Sequence, residues 1–235
     1  MRELNADYLE LTRFISEYKI PYSESDSGFN IILKKMHKRY YSFLSLHHEL
    51  SNSNYFLSTL SLQHDNVFKH RVNEVLSELG TIFFLSLHGC YKAAKLVMRS
   101  CIENFSKAIG SLLDINIVNE TSVYRVIEIA LSHPVFESNA LLEKHFIQEK
   151  YSMLCADVHT ASLENMQHIE CIGSFPVFSL DGFSVLAEIY VKLINSMASI
   201  LIKIAPSIYH KAHHTHKDAI SSILSVDDKR LIHQL

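Results

Sequence analysis

Hydrophobic residues recur at steps of three and four over most of this chain. The clearest run lies between residues 65 and 114, where one apolar stripe ends at Phe83 and a second begins at Ala94, with Gly89 between them. Such steps place side chains on one face of an α-helix. Glycine readily adopts the positive φ that ends a helix. The pattern therefore predicts two antiparallel helices that pack against each other across a turn at Gly89.

The same periodicity predicts helices on both sides of this hairpin. Asp65 is expected to cap the first helix of the hairpin, because its carboxylate can accept from free backbone amides. Clusters of Pro, Gly and Ser predict loops at 19–28 and 173–182. Strand-like alternation with hairpin turns is missing, so the predicted fold class is all-α, an antiparallel helical bundle. The remaining predicted helices span residues 3–18, 29–50, 122–131, 137–159 and 183–204, with one or two short helices after 207.

The length and composition are those of a protein with a sizeable core. The chain has 235 residues, of which 48% are hydrophobic, which is enough for one large domain or two small ones. We predict a helical extension over 1–64, a helical-bundle core over 65–205 and a histidine-rich helical tail over 206–235. Together these segments are expected to form one compact domain.

The overall charge excludes a protein that binds nucleic acid through bulk electrostatics. Charged residues make up 20% of the chain and the formal net charge is −3, so any RNA contact must come from a local patch. One side of the predicted helix 29–50 is basic, and such a side can follow a phosphate backbone. An ordinary solvated helix face is the other interpretation. The candidate nucleic-acid-binding residues are Lys34, Lys35, Lys38 and Arg39.

The most apolar segment, 183–205, is interrupted by Glu188, Lys192 and Lys203. We therefore interpret it as a buried helix and predict a cytoplasmic protein without a membrane span. The N-terminus carries acidic residues among its apolar ones, unlike a secretory signal. The four cysteines show no CxxC spacing, which favours small core residues over a disulfide framework or a zinc site.

A histidine cluster near the C-terminus is the one place where metal ligands gather. His210 and His214 are spaced for one helical face and could bind a transition metal, with His213 and His216 beside them. Apart from Asp218, nothing completes the set at a familiar spacing, so we predict a histidine-rich surface and no metal ion. Motifs for nucleotide phosphates, a nucleophilic serine or catalytic zinc are also missing, and no cofactor is predicted.

Two stretches, 87–105 and 151–160, together resemble the HEPN superfamily of bacterial helical bundles. The first has the form G-x-x-x-A-A-x-x-x-x-R-x-x-x-E. The second follows the family pattern Y-x-x-L-S-x-x-x-H, with Cys155 in place of the serine. The resemblance covers about residues 65–205. The matching residues are Gly89, Ala93, Ala94, Arg99 and Glu103, then Tyr151, Leu154 and His159.

This resemblance implies a core of four or five helices, found in toxin–antitoxin, CRISPR-associated and phage-defence proteins that are commonly dimeric. It implies a homodimer, or a hetero-complex with a partner from the same defence system. Many members are metal-independent ribonucleases. In them an Arg holds the scissile phosphate at the dimer interface, and a His moves protons to and from the ribose and the leaving oxygen. Here the implied catalytic residues are Arg99, Glu103 and His159.

The sequence departs from the family hallmark, an Arg and a His separated by four to six residues on one helix, because that spacing does not occur here. Two hypotheses remain open. The first is a ribonuclease whose site is assembled across helices from Arg99, Glu103 and His159. The second is a non-catalytic module that binds a partner protein or nucleic acid. On the second, Arg99 and Glu103 form a simple intrahelical ion pair, and His159 caps its helix.

Overall fold

The computed structural model describes residues 2–17, 27–53, 62–159 and 178–234. All regular elements in these ranges are helical, which confirms the all-α prediction. A short 3₁₀ helix spans Ile115–Asn119. The α-helices are α1 (Arg2–Glu17), α2 (Ser27–Asn52), α3 (Leu62–Leu87), α4 (Tyr91–Ser111), α5 (Val123–Leu131), α6 (Val135–Ser138), α7 (Leu141–Val158), α8 (Leu180–Ile204), α9 (Pro206–Lys211), α10 (His214–Ser221) and α11 (Val226–Ile232).

The helical hairpin predicted around Gly89 is present as α3 and α4. Gly89 has a φ of 73°, a backbone conformation that residues with a Cβ rarely adopt. The Cys90 amide donates to the Leu85 carbonyl at 3.0 Å and the Gly89 amide to Ser86 at 3.2 Å. This pair of bonds is the Schellman motif, which satisfies the last carbonyls of a helix while it turns the chain.

Helix α8 lies at the centre of the bundle. Its apolar side chains are buried against α2, α3, α4 and α7. The Tyr190 hydroxyl donates to the Leu79 carbonyl at 3.1 Å, and Phe183 stacks on Phe29 with ring centroids 5.3 Å apart. By length and composition α8 could cross a membrane, yet 67% of its most apolar window is buried inside the protein.

The N-terminal and C-terminal helices share the core of the central bundle. Phe29 and Leu46 of α2 and Ile208 and Ile220 of the tail belong to the same buried cluster as the hairpin. The Ser42 hydroxyl on α2 also donates to the Ala219 carbonyl on α10 at 2.8 Å. The three segments predicted at 1–64, 65–205 and 206–235 thus pack around one core within the described residues.

Three local predictions were wrong, each because a helix begins or ends elsewhere. Asp65 is not an N-cap: α3 already begins at Leu62, so Asp65 lies in its first turn, buried and 2.9 Å from Lys69. The helix predicted over 137–159 is interrupted between α6 and α7. His210 and His214 do not share a helical face, since α9 ends at Lys211 and α10 begins at His214.

The tail holds three short helices, one more than the upper number predicted. Each predicted loop falls partly outside the described residues. In the N-terminal loop, residues 27 and 28 already belong to α2, and in the later loop residues 180–182 belong to α8. Ser179 caps α8, because its hydroxyl accepts from the Gly182 amide at 3.1 Å.

Candidate functional site

Helices α4 and α7 meet along a polar seam. At one end Lys95 lies 3.0 Å from Asp157, and at the other the Tyr151 hydroxyl donates to Glu103 at 3.0 Å. From the Lys95 end of the seam to the Glu103 end, residue numbers rise along α4 and fall along α7, so the two helices are antiparallel. Arg99 lies one turn from each end of the seam on α4. The local stretches that carry the resemblance therefore pack against each other.

Arg99 is held by two neighbours in this seam. Its Nε lies 3.1 Å from Glu103 Oε1, and both side chains are about one quarter exposed. Its guanidinium lies 5.8 Å from the centroid of the Tyr151 ring. A hydrogen bond with Tyr151 raises the pKa of Arg99. The predicted Arg99–Glu103 pair is formed, and an aromatic ring partly covers it.

Tyr151 completes this group. Burial raises the pKa of Tyr151 well above its usual value, and the Glu103 carboxylate adds to the effect. The tyrosine therefore keeps its proton at neutral pH and donates it in the hydrogen bond to Glu103. This arrangement neutralises Arg99 and holds Glu103 in a fixed orientation.

His159 is placed differently from the other two predicted catalytic residues. It is exposed and follows the last residue of α7 as its C-cap, where its amide donates to the Cys155 carbonyl at 2.9 Å. It lies beyond Asp157, at the Lys95 end of the seam. Among the described residues, no hydrogen bond or ion pair joins the His159 side chain to Arg99 or Glu103. The structure brings Arg99 and Glu103 together without His159.

A groove lies beside the polar seam, between α5 and α7. Its volume is about 720 Å³, and Tyr151 and Cys155 form the wall nearest Arg99. Tyr124 stands on the opposite side with 77% of its surface exposed. We call this feature the α5–α7 groove. Its lining residues are Tyr124, Ile127, Glu128, Leu131 and Ser132, then Lys144, Gln148, Tyr151, Ser152 and Cys155.

The sequence did not predict a buried acid between α3 and α4. Glu78 is 9% exposed; it accepts from the Ser100 hydroxyl at 2.5 Å and from the Asn104 amide at 3.1 Å. Arg71 donates to Asn104 at 2.9 Å. Burial raises the pKa of Glu78, and these hydrogen bonds offset part of the rise. The sequence did contain a sign of this acid, because Glu78 occupies a position in the apolar stripe of α3 where a hydrophobic core residue is expected.

The basic side of α2 is not one open surface. Lys34 and Lys35 are exposed, but Lys34 lies over the Tyr8 ring of α1 at 5.4 Å. Lys38 and Arg39 are half-buried and lie toward the C-terminal helices, since Lys229 is close enough to lower the pKa of Lys38. The periodicity of α2 could not show that other helices pack on both sides of this basic face.

The histidines of the tail meet the end of α2. The Glu49 carboxylate accepts from the His213 amide at 3.2 Å and lies 2.5 Å from Nδ1 of His216. The His48 and His216 rings are 5.1 Å apart. His210 contacts the Ile232 carbonyl instead, at 3.0 Å. In the part of the chain that the structure describes, no three His, Cys, Asp or Glu residues are arranged to hold a metal ion.

No family model, no curated protein and no solved structure matches this chain. The resemblance to the HEPN superfamily accordingly rests on the residues quoted from the sequence. Two features of this geometry are candidates for a functional role. One is the neutralised group of Arg99, Glu103 and Tyr151, and the other is the α5–α7 groove beside it.

Proposed function

We propose that this chain is a cytoplasmic, HEPN-like component of a bacterial defence or toxin system that binds a helical segment of a partner protein in the α5–α7 groove. One observation carries the proposal. The lining residues follow steps of three and four on both α5 and α7, the spacing by which helices pack against each other. Two such stripes that face one groove match the apolar side of a third, amphipathic helix.

The charges in the groove favour a protein segment over RNA. Of the described residues that line it, Lys144 is the one cation and Glu128 the one anion. In the seam next to it, Lys95 and Arg99 are already paired with Asp157 and Glu103. A nucleic acid is held chiefly by several cations that neutralise phosphates. The groove instead offers two tyrosines, Tyr124 and Tyr151, beside aliphatic side chains, and aromatic residues are enriched among those that contribute most to binding at protein interfaces.

Site-specific photocrosslinking in the source bacterium tests this proposal. A photoreactive phenylalanine at position 124 should give a discrete protein adduct, whereas the same residue at exposed position 9 on α1 should not. Ser152 is exposed and lines the groove, so Ser152→Arg should fill the groove and abolish the adduct without unfolding the protein. An adduct of twice the chain mass would identify the partner as a second copy. Equal adducts from both positions, or none from position 124, would refute the proposal.

Metal-independent RNA cleavage is the second candidate function, and the grouping of Arg99, Glu103 and Tyr151 favours it. That chemistry also needs a proton-transfer group near the same phosphate, and among the described residues no hydrogen bond or ion pair joins the His159 side chain to this group. The test is RNA cleavage in EDTA by the wild type, Arg99→Ala and His159→Ala, after circular dichroism has shown that all three fold alike. The binding proposal expects no cleavage. Cleavage that both variants lose would replace it with the nuclease hypothesis.

A further inference from the structure

Arg39 has an unusual environment for a charged side chain. Its guanidinium is half-buried, and its Nε is fully buried without a hydrogen-bond partner in the described ranges. None of the ion pairs found among these residues includes Arg39. Burial lowers the pKa of Arg39. Buried polar groups in folded proteins are nearly always hydrogen-bonded, so the buried Nε of Arg39 lacks the acceptor that such a group normally has.

A second polar group without a partner faces the same space. The Oδ1 atom of Asn195 on α8 is buried and has no hydrogen bond to any described residue. Arg39 and Asn195 both line a cleft of about 410 Å³, together with the hydroxyl-bearing Ser196 and Ser222. Rotation of an asparagine amide exchanges its oxygen and its NH₂ group. Asn195 can therefore present either a donor or an acceptor to a molecule in the cleft.

The surroundings of Arg39 are cationic. Lys38 is its neighbour on α2, and Lys229 on α11 is also close. Burial is the largest cause that lowers the pKa of Lys38, and the charges of Arg39 and Lys229 lower it further. The carboxylates of Glu143 and Asp228 also line the cleft. Both lie 2.7 Å from the Lys203 ammonium, which balances one of these two negative charges and leaves Arg39 as the cation of the lining that faces the second. Lys38, Arg39 and Lys229 thus lie near one another without an ion-pair partner among the described residues, and Arg39 is the one of the three that lines the cleft.

We propose that this cleft between α2, α8 and the turn before α11 binds a small molecule through a phosphate or carboxylate group held by Arg39. The planar fork of an arginine matches both oxyanions. A volume of about 410 Å³ is at the lower end of the usual range for small-molecule sites. It leaves room for a polar body beside the anionic group, which Asn195, Ser196 and Ser222 can contact. The site does not depend on the α5–α7 groove.

Thermal unfolding with three probes tests the site: inorganic phosphate, AMP and acetate, each at an ionic strength matched with sodium chloride. At least one probe should raise the Tm of the wild type saturably, because a ligand that binds only the folded state stabilises it. Arg39→Gln should weaken that binding at least about tenfold, as expected when a charge-assisted hydrogen bond is lost. The matched control Arg125→Gln replaces an arginine that is 67% exposed, and it should bind like the wild type.

The stability of the Arg39 variant without any probe separates a ligand site from a structural role. If Arg39 serves a ligand, Arg39→Gln should leave the Tm unchanged or raise it, since a partly buried charge without a partner is removed. A lower Tm would assign Arg39 to the fold and refute the proposal. The proposal also fails if no probe exceeds sodium chloride, or if an RNA oligonucleotide binds through Arg39 while all three probes do not.

Discussion

At the scale of single residues, Glu78 is a mostly buried acid whose pKa is raised. It lies between α3 and α4 and accepts from Ser100 and Asn104. Burial raises its pKa, and the neighbouring Glu74 and Glu103 raise it further against those hydrogen bonds. The folded state therefore binds the Glu78 proton more tightly than the unfolded chain does. Stability from this residue is complete below the unfolded pKa and is lost as the pH rises through the folded pKa.

Glu78→Gln should remove this pH dependence. We expect the difference in Tm, variant minus wild type, to increase from pH 5 to pH 8. The wild type loses stability as Glu78 ionises, whereas glutamine cannot ionise. Thermal unfolding across that range measures the effect, with the exposed Glu137→Gln as the control that should not change the slope. A constant difference between variant and wild type would contradict the assignment of a raised pKa to Glu78.

Gly89 has a backbone conformation that other residues reach only at a cost. With a φ of 73°, Gly89→Ala should lower the free energy of unfolding by about 1 kcal/mol. Gly89→Asn should cost less, because asparagine tolerates the left-handed region. Chemical denaturation of the three proteins gives the order. Equal stability of Gly89→Ala and the wild type would mean that the hairpin turn adopts another conformation in solution.

At the scale of helices, α11 is fixed by a short capping box and a buried carboxylate. The Ser225 hydroxyl accepts from the Asp228 amide at 3.0 Å, and the Asp228 side chain accepts from Ser225 in return. Asp228 also lies 2.7 Å from Lys203 on α8. Burial alone would raise the pKa of Asp228, but the hydrogen bonds from Lys203, Ser225 and Ser199 outweigh it, so the pKa is lowered.

Asp228→Asn should destabilise the protein at neutral pH by about 3 kcal/mol, the lower end for breaking a buried ion pair, since Glu143 still pairs with Lys203. A lowered folded pKa gives stability above the unfolded pKa that is lost as the pH falls through the folded value. The loss of stability that Asp228→Asn causes should therefore be smaller in acid. Urea unfolding at pH 7 and pH 3 measures it. Asp227→Asn, at a side chain that is 92% exposed, should change little.

Helical periodicity was sufficient to predict most of these elements. The two stripes of the hairpin and Gly89 between them lie close in sequence, so the pattern contained both the helices and the turn. The interruption between α6 and α7 has no proline or glycine in the 138–141 segment that could have indicated it. The first turns of α3 and α8 also escaped prediction, because polar residues or glycine follow the first leucine of each helix and interrupt the apolar pattern.

At the scale of the whole molecule, the C-terminal helices complete the core. Ile208, Ile220 and Ile232 are buried in the same cluster as α2 and α8. A chain that ends after Ala205 would expose the faces of α2 and α8 that these residues cover. We expect it to lose cooperative thermal unfolding and to aggregate, as seen by circular dichroism and size-exclusion chromatography. Removal of residues 233–235 alone should have little effect, and a cooperative, monomeric 1–205 chain would contradict this prediction.

The candidate site was only partly predictable, because its residues come from helices that are far apart in the sequence. The Arg99–Glu103 pair follows from a spacing of four on one helix, and the structure forms it. Whether His159 reaches that pair depends on how α7 packs against α4, which no local spacing encodes. Arg39 shows the same limit: its helix face is readable from sequence, but the cleft that it lines is built from α8 and the turn before α11.

The hydrogen bond between Ser42 and Ala219 has a consequence for biosynthesis. The two residues are 177 positions apart, so at about 5–20 residues per second roughly 10–35 s pass on the ribosome between them. During that time α2 has been made, but the surface that covers one of its sides has not. Apolar side chains on that side of α2 therefore stay uncovered until the final helices have been made, and exposed apolar surface of this kind favours aggregation of a nascent chain.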